Sequence, residues 1–198
     1  SHKDYSLGFR DDQVEWLRQD LSYVSKDKMV ILCVHIPMRA SGNQNVQAVF
    51  ELLKPFAEVH VMSGHTHYAE NNVYDSHYEH VHGAACGAWW NSTINVDGTP
   101  NGYAIYNIKG ATITDWVYKG TGLDAQQQIR LYRANDIFMR DYSKNYQFYY
   151  KGDDQIVANV WNADKDWKIE VYENGIKTGE MTHFDYTGNE KDKSWDAW

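Results

Sequence analysis

The sequence predicts a mixed α+β fold, with a parallel βαβ unit in front and an all-β region behind it. Two apolar, largely β-branched runs, Met29-Val30-Ile31-Leu32-Cys33-Val34 and Val59-His60-Val61-Met62, read as buried strands. Between them, Asn45 to Leu53 sets Val46, Val49, Phe50 and Leu53 on one face of a helix. Beyond Gly120-Thr121-Gly122 the helix patterns stop and short alternating runs replace them.

Each element has its own signal. Asp11 or Asp12 is placed to cap a first helix with the face Val14, Trp16, Leu17, Leu21 and Val24. Strand, helix and strand within about forty residues make a crossover unit, so the two strands are expected to be parallel neighbours. From Glu79 to Trp90 the middle is rich in Gly and Ala, which predicts a close backbone approach. The turn-dense Asp97-Gly98-Thr99-Pro100-Asn101-Gly102 leads into Tyr103 to Ile108, a Lys109-Gly110 turn, and Ala111 to Tyr118, a β-hairpin pattern.

A domain boundary is expected at 119–127, giving residues 1–120 and residues 121–198. In the second part Ile129 to Tyr132, Ile156 to Trp161 and Trp167 to Tyr172 read as strands. Asn174-Gly175 is a hairpin signal with Lys177 to Phe184 as the return strand. A small β-sandwich is expected there. Its strand count is low for a sandwich, so the module is expected to be incomplete.

Composition narrows the function. Apolar residues make up 42% and aromatics 15%, the composition of a chain that builds a core. Twenty-seven acidic against nineteen basic residues leave a net charge of -8. No Lys/Arg cluster forms a phosphate-tracking stripe, so a nucleic-acid surface is not expected. No run reaches membrane-spanning length. The two cysteines, Cys33 and Cys86, read as buried free thiols.

Chemistry is concentrated in His35 and in Gly64-His65-Thr66-His67. Both follow the predicted strands, so the three imidazoles converge at carboxyl ends of neighbouring strands, where open α/β sheets place ligands. Imidazole suits zinc, iron, manganese or copper. An extended backbone after Gly64 is expected to turn His65 and His67 the same way. A second H-x-H, His80-Val81-His82, lacks such flanks and reads as an ordinary strand, and His60 reads as a surface or satisfied core residue.

The isolated His35 and the Gly64-His65-Thr66-His67 segment resemble the end of the catalytic core in calcineurin-like metallophosphoesterases. The helix Gln13 to Leu21 is similar to the one that precedes that isolated histidine. Gly83 to Trp90, then Asp97 to Tyr103, resembles a bacterial branch whose core is followed by a β-rich C-terminal module. The resemblance implies that residues 1–120 are the C-terminal half of a metallophosphoesterase α/β sandwich, followed by the β module. It implies two divalent metal ions (Mn, Fe or Zn), with His35 and His65 on one and His67 on the other, and a phosphate-ester substrate. Trp89, Trp90 and Asn91 are then candidates for the leaving-group pocket, with core packing an equal reading for the tryptophans. The family's upstream motifs, D-x-H, G-D-x-x-D and G-N-H-D/E, are absent from these residues. The expectation is therefore a fragment without the N-terminal half of the catalytic domain, inactive alone, from a periplasmic or extracellular enzyme.

Two other readings stay open at this point. One is a single-zinc hydrolase using the same three histidines and a water. The other is a non-enzymatic β module that binds glycan or protein through Trp161, Trp167, Trp195 and Trp198.

Overall fold

A computed structural model describes residues 7–38, 43–87, 93–95, 97–133, 156–185 and 196–197. The fold is mixed and β-rich, with two helices and small sheets among the described residues. The chain divides into two compact units. One comprises Ser1–His65, Asn71–Val81 and Tyr106–Trp116, the other Thr66–Glu70, His82–Ile105 and Val117–Trp198.

In the first unit, helix α1 (Asp11–Ser22) precedes strand β1 (Met29–Cys33), helix α2 (Val46–Leu53) and strand β2 (Glu58–Ser63). The capping expectation is corrected: Arg10 is the cap, its N–H bonded to the Gln13 side chain, and Asp11 and Asp12 lie inside the first turn. Acidic side chains there favour the positive end of the helix. Gly8 precedes this helix at φ +117°, and a Cβ on it would stand 2.2 Å from the Gln44 carbonyl, so only glycine fits.

The predicted parallel pairing is present. β1 and β2 run parallel with Met29 opposite Glu58 and Cys33 opposite Met62. β2 also pairs in parallel with β4 (Tyr78–Val81), and β3 (Glu70–Val73) completes the sheet in the order β1-β2-β4-β3.

The core lies on one face of this sheet. Val14, Leu17 and Leu21 of α1 and Val46, Val49 and Leu53 of α2 cover Val59 and Val61 of β2. Leu53 is 1% exposed. Leu53→Ala is expected to cost about 2–5 kcal/mol in urea unfolding, because the transfer term and the cavity term add.

Cys33 corrects the reading of buried thiols, since it is exposed and Cys86 is half-buried. The reason is position. β1 is the edge strand, and its alternate residues Ile31 and Cys33 point away from the face that the helices cover. Trp16 likewise lies off the α1 core face and is mostly exposed.

The strands β5 (Gly102–Lys109) and β6 (Thr112–Gly120) form the expected hairpin. Within the second unit, β7 (Ile129–Arg133) pairs antiparallel with β8 (Ile156–Val160). β9 (Glu170–Glu173) and β10 (Ile176–Glu180) flank the Asn174-Gly175 turn, where both residues take positive φ. That is the demand which selects Asn-Gly in tight hairpins. Short strands β11 (Phe184–Asp185) and β12 (Asp196–Ala197) also pair. Among the described residues no helix is long and apolar enough to cross a membrane.

Candidate metal centre

The parallel ladder of the first unit brings two of the three predicted histidines together. It continues past the strand ends: Val34 N–H bonds Met62 O at 2.9 Å, and Gly64 N–H bonds His35 O at 3.1 Å. His35 and His65 are both exposed, with His35 Nε2 3.1 Å from His65 Nδ1 and the rings edge-to-face.

His35 also borders a cleft of about 400 Å³ with walls that include Phe9, Trp16, Leu17, Leu32 and Val46. At 3.1 Å the two nitrogens hydrogen-bond each other, one ring donating and the other accepting. Among the described residues no group of three or more His, Cys, Asp or Glu gathers around an ion position.

The expected extended backbone at His65-Thr66-His67 is corrected. His65 and His67 have φ of +71° and +59°, the left-handed region that is uncommon outside glycine. The histidines themselves make the turn after β2, and Gly64 does not take a positive φ. Such outliers persist only where surrounding contacts hold them.

In the second unit, the contact holding His67 is its Nδ1 with the Gly87 carbonyl at 2.8 Å. A carbonyl oxygen only accepts, so Nδ1 carries the proton and Nε2 is the basic nitrogen. Histidine ligands of metals generally show this arrangement, with the outward nitrogen anchored to a carbonyl or carboxylate.

The same loop has a second anchor, one residue beyond Tyr68. The Ala69 N–H bonds Asp97 Oδ2 at 3.1 Å, while Thr99 donates its backbone N–H and its hydroxyl to Asp97 Oδ1. Burial pushes the Asp97 carboxyl up to about 7, against the pull of these hydrogen bonds. The turn-dense pattern around Asp97 gives no sign of its burial, to which a strand distant in sequence contributes through Asn159, which donates to the Asp97 carbonyl.

The predicted close approach near Gly83 is also present. A Cβ there would lie 2.7 Å from Asn95 Nδ2 and 2.9 Å from the Tyr118 hydroxyl. Asn95 is fully buried, accepts the Ala84 N–H and donates to the Pro100 carbonyl.

Trp89, Trp90 and Asn91 lie outside the described residues, as do Trp195 and Trp198. Trp161 is core at 2% exposure, whereas Trp167 is partly exposed. His60 and His80 form a hydrogen-bonded buried pair in the first unit. His60 Nδ1 meets His80 Nε2 at 2.9 Å, and His60 Nε2 meets Glu58 Oε1 at 2.8 Å. Tyr78, Tyr106 and Trp116 pack around the His80 ring, so this cluster serves the sheet's second face.

A family model described as the C terminal of calcineurin-like phosphoesterase matches residues 79–198, more than half of the chain. His35, His65 and His67 precede the matched stretch. No curated protein matches the chain.

Proposed function

The chain belongs to the calcineurin-like phosphoesterase family, through that family's C-terminal part, and from this premise we propose that it contributes to metal-dependent hydrolysis of phosphate esters. In this reading His35 Nε2 and His65 Nδ1 hold one divalent ion and His67 Nε2 holds a second. The observation that carries it is the convergence of the first two nitrogens to 3.1 Å on adjacent parallel strand ends. The anchored Nδ1 of His67 supports the third assignment.

A pair of divalent ions, when bound, lowers the pKa of a water and offsets charge on the phosphoryl oxygens. The chain's own residues set the geometry for that chemistry. The β1–β2 register aligns His35 with His65, and the Gly87 carbonyl keeps the His67 tautomer with Nε2 basic. Trp89, Trp90 and Asn91 follow this loop system in sequence and are proposed to border the leaving group.

Three histidines under-coordinate two ions. The proposal therefore places the other ligands on a segment outside these 198 residues, and the 198-residue chain alone is expected to be inactive. It also takes residues 1–120 as part of an α/β sandwich, residues 121–198 as a sandwich-like β module, and the periplasm or the extracellular space as the site of action.

The experiment is metal analysis and hydrolysis of phosphate monoesters and diesters by the intact protein, with its upstream sequence. Two divalent ions per chain, with hydrolysis abolished by a chelator and restored by Mn²⁺ or Zn²⁺, is the expected result. An intact protein that neither takes up metal nor hydrolyses any phosphate ester overturns the proposal.

A further inference from the structure

Glu79 lies within β4, and its side chain is fully buried. It stands opposite Val61 in the β2–β4 register, so it shares the face that the helices cover. A carboxyl group in that apolar layer is costly unless a specific partner receives it. One such partner is the backbone N–H of Met38, which donates to Glu79 Oε1 at 2.6 Å.

That bond matters because of where Met38 sits. It is the third residue after His35, and it follows Pro37, which has no N–H to offer and holds its own φ near −65°. On its upstream side, His35 is fixed by ladder bonds at Val34 and His35 itself. On its downstream side, the Glu79 bond holds the segment, reaching across 41 positions of the chain. The His35 ring is exposed and meets the His65 ring edge-to-face, so the backbone on both sides of His35 decides whether the ring reaches that contact.

We propose that Glu79 is a positioning residue, whose carboxyl clamps the segment after β1 so that His35 Nε2 meets His65 Nδ1. The inference uses the metal reading of that pair, but the clamp itself is a property of the chain without metal. An acceptor is what the clamp requires, so a side-chain amide of the same length substitutes for it, and an apolar side chain of the same length does not.

The test compares the full chain with Glu79→Gln, Glu79→Met and the core control Leu53→Ala. Two readouts are used: ¹H–¹⁵N spectra of the imidazole nitrogens without metal, and affinity for Co²⁺ by its absorption. Glu79→Gln is expected to keep the paired His35–His65 ring signature and an affinity within about 3-fold. Glu79→Met is expected to lose the signature and about 10–100-fold in affinity, the usual cost of an outer-shell defect. Leu53→Ala is expected to lose stability and change neither readout.

A folded Glu79→Met chain with the original ring signature overturns the inference, as does a Leu53→Ala chain with the same spectral change. A chain that takes up no Co²⁺ counts against the metal reading alone. The ring signature then still decides the role of Glu79.

Discussion

Replacing Asp97 by Asn is expected to flatten the dependence of stability on pH between about 4 and 8. The Asp97 carboxyl titrates at about 7 in the fold against 3.8 for the free group, because burial penalises its charge. The folded state therefore keeps this proton to higher pH than the unfolded state. The stabilisation is fully present below 3.8 and is lost as pH rises through about 7.

At about 1.36 kcal/mol for each pH unit, the loss amounts to about 4 kcal/mol. Asn does not titrate, so the stability gap between variant and wild type should shift by about that amount in favour of the variant. The variant is expected to start about 1–3 kcal/mol lower at acid pH, since its amide turns one donor toward Thr99 or Ala69. Urea unfolding across the range measures the gap, and the ¹³C shift of the carboxyl gives the midpoint directly. Parallel profiles for the two proteins would show that Asp97 does not titrate in this window.

His35→Ala and His65→Ala are expected to remove the cation held between these two rings while leaving the fold intact. Both side chains are exposed and make no part of the apolar core, so their loss should change stability without metal by less than about 0.5 kcal/mol. In wild type, a divalent cation at about 100 times its dissociation constant should add about 2.7 kcal/mol of stability, and each variant should lose that increment. Removing a direct ligand should weaken binding by more than the 10–100-fold typical of an outer-shell change. Thermal unfolding with and without Mn²⁺ or Zn²⁺ tests this. Equal metal stabilisation in wild type and both variants would remove these histidines from the site.

The elements themselves were legible because their signals are local. The β-branched runs at 29–34 and 59–62, with Val46, Val49 and Leu53 spaced along a helix between them, specified the crossover unit. Parallel pairing then placed His35 beside His65. The Asn174-Gly175 turn and the 102–120 hairpin followed from turn chemistry in the same way.

Other features carried no local mark. An extended backbone was expected after Gly64, yet His65 and His67 take left-handed conformations. Cys33 belongs to an apolar run, and only the place of β1 at the sheet edge exposes it. Trp161 and Trp167 lie six positions apart, one buried and one partly exposed.

The sequence by itself determined the crossover unit and the three histidines proposed to hold metal. Those depend on side-chain spacing over a few turns or strand residues. The tertiary structure alone decided that Glu79 and Asp97 lie buried, that the Gly87 carbonyl fixes the His67 tautomer, and that His35 is clamped from β4. Each of these needs a partner 20 or more positions away along the chain. An acidic residue in a strand or turn is soluble by default, and it becomes an anchor only when folding delivers a backbone N–H to it and excludes water.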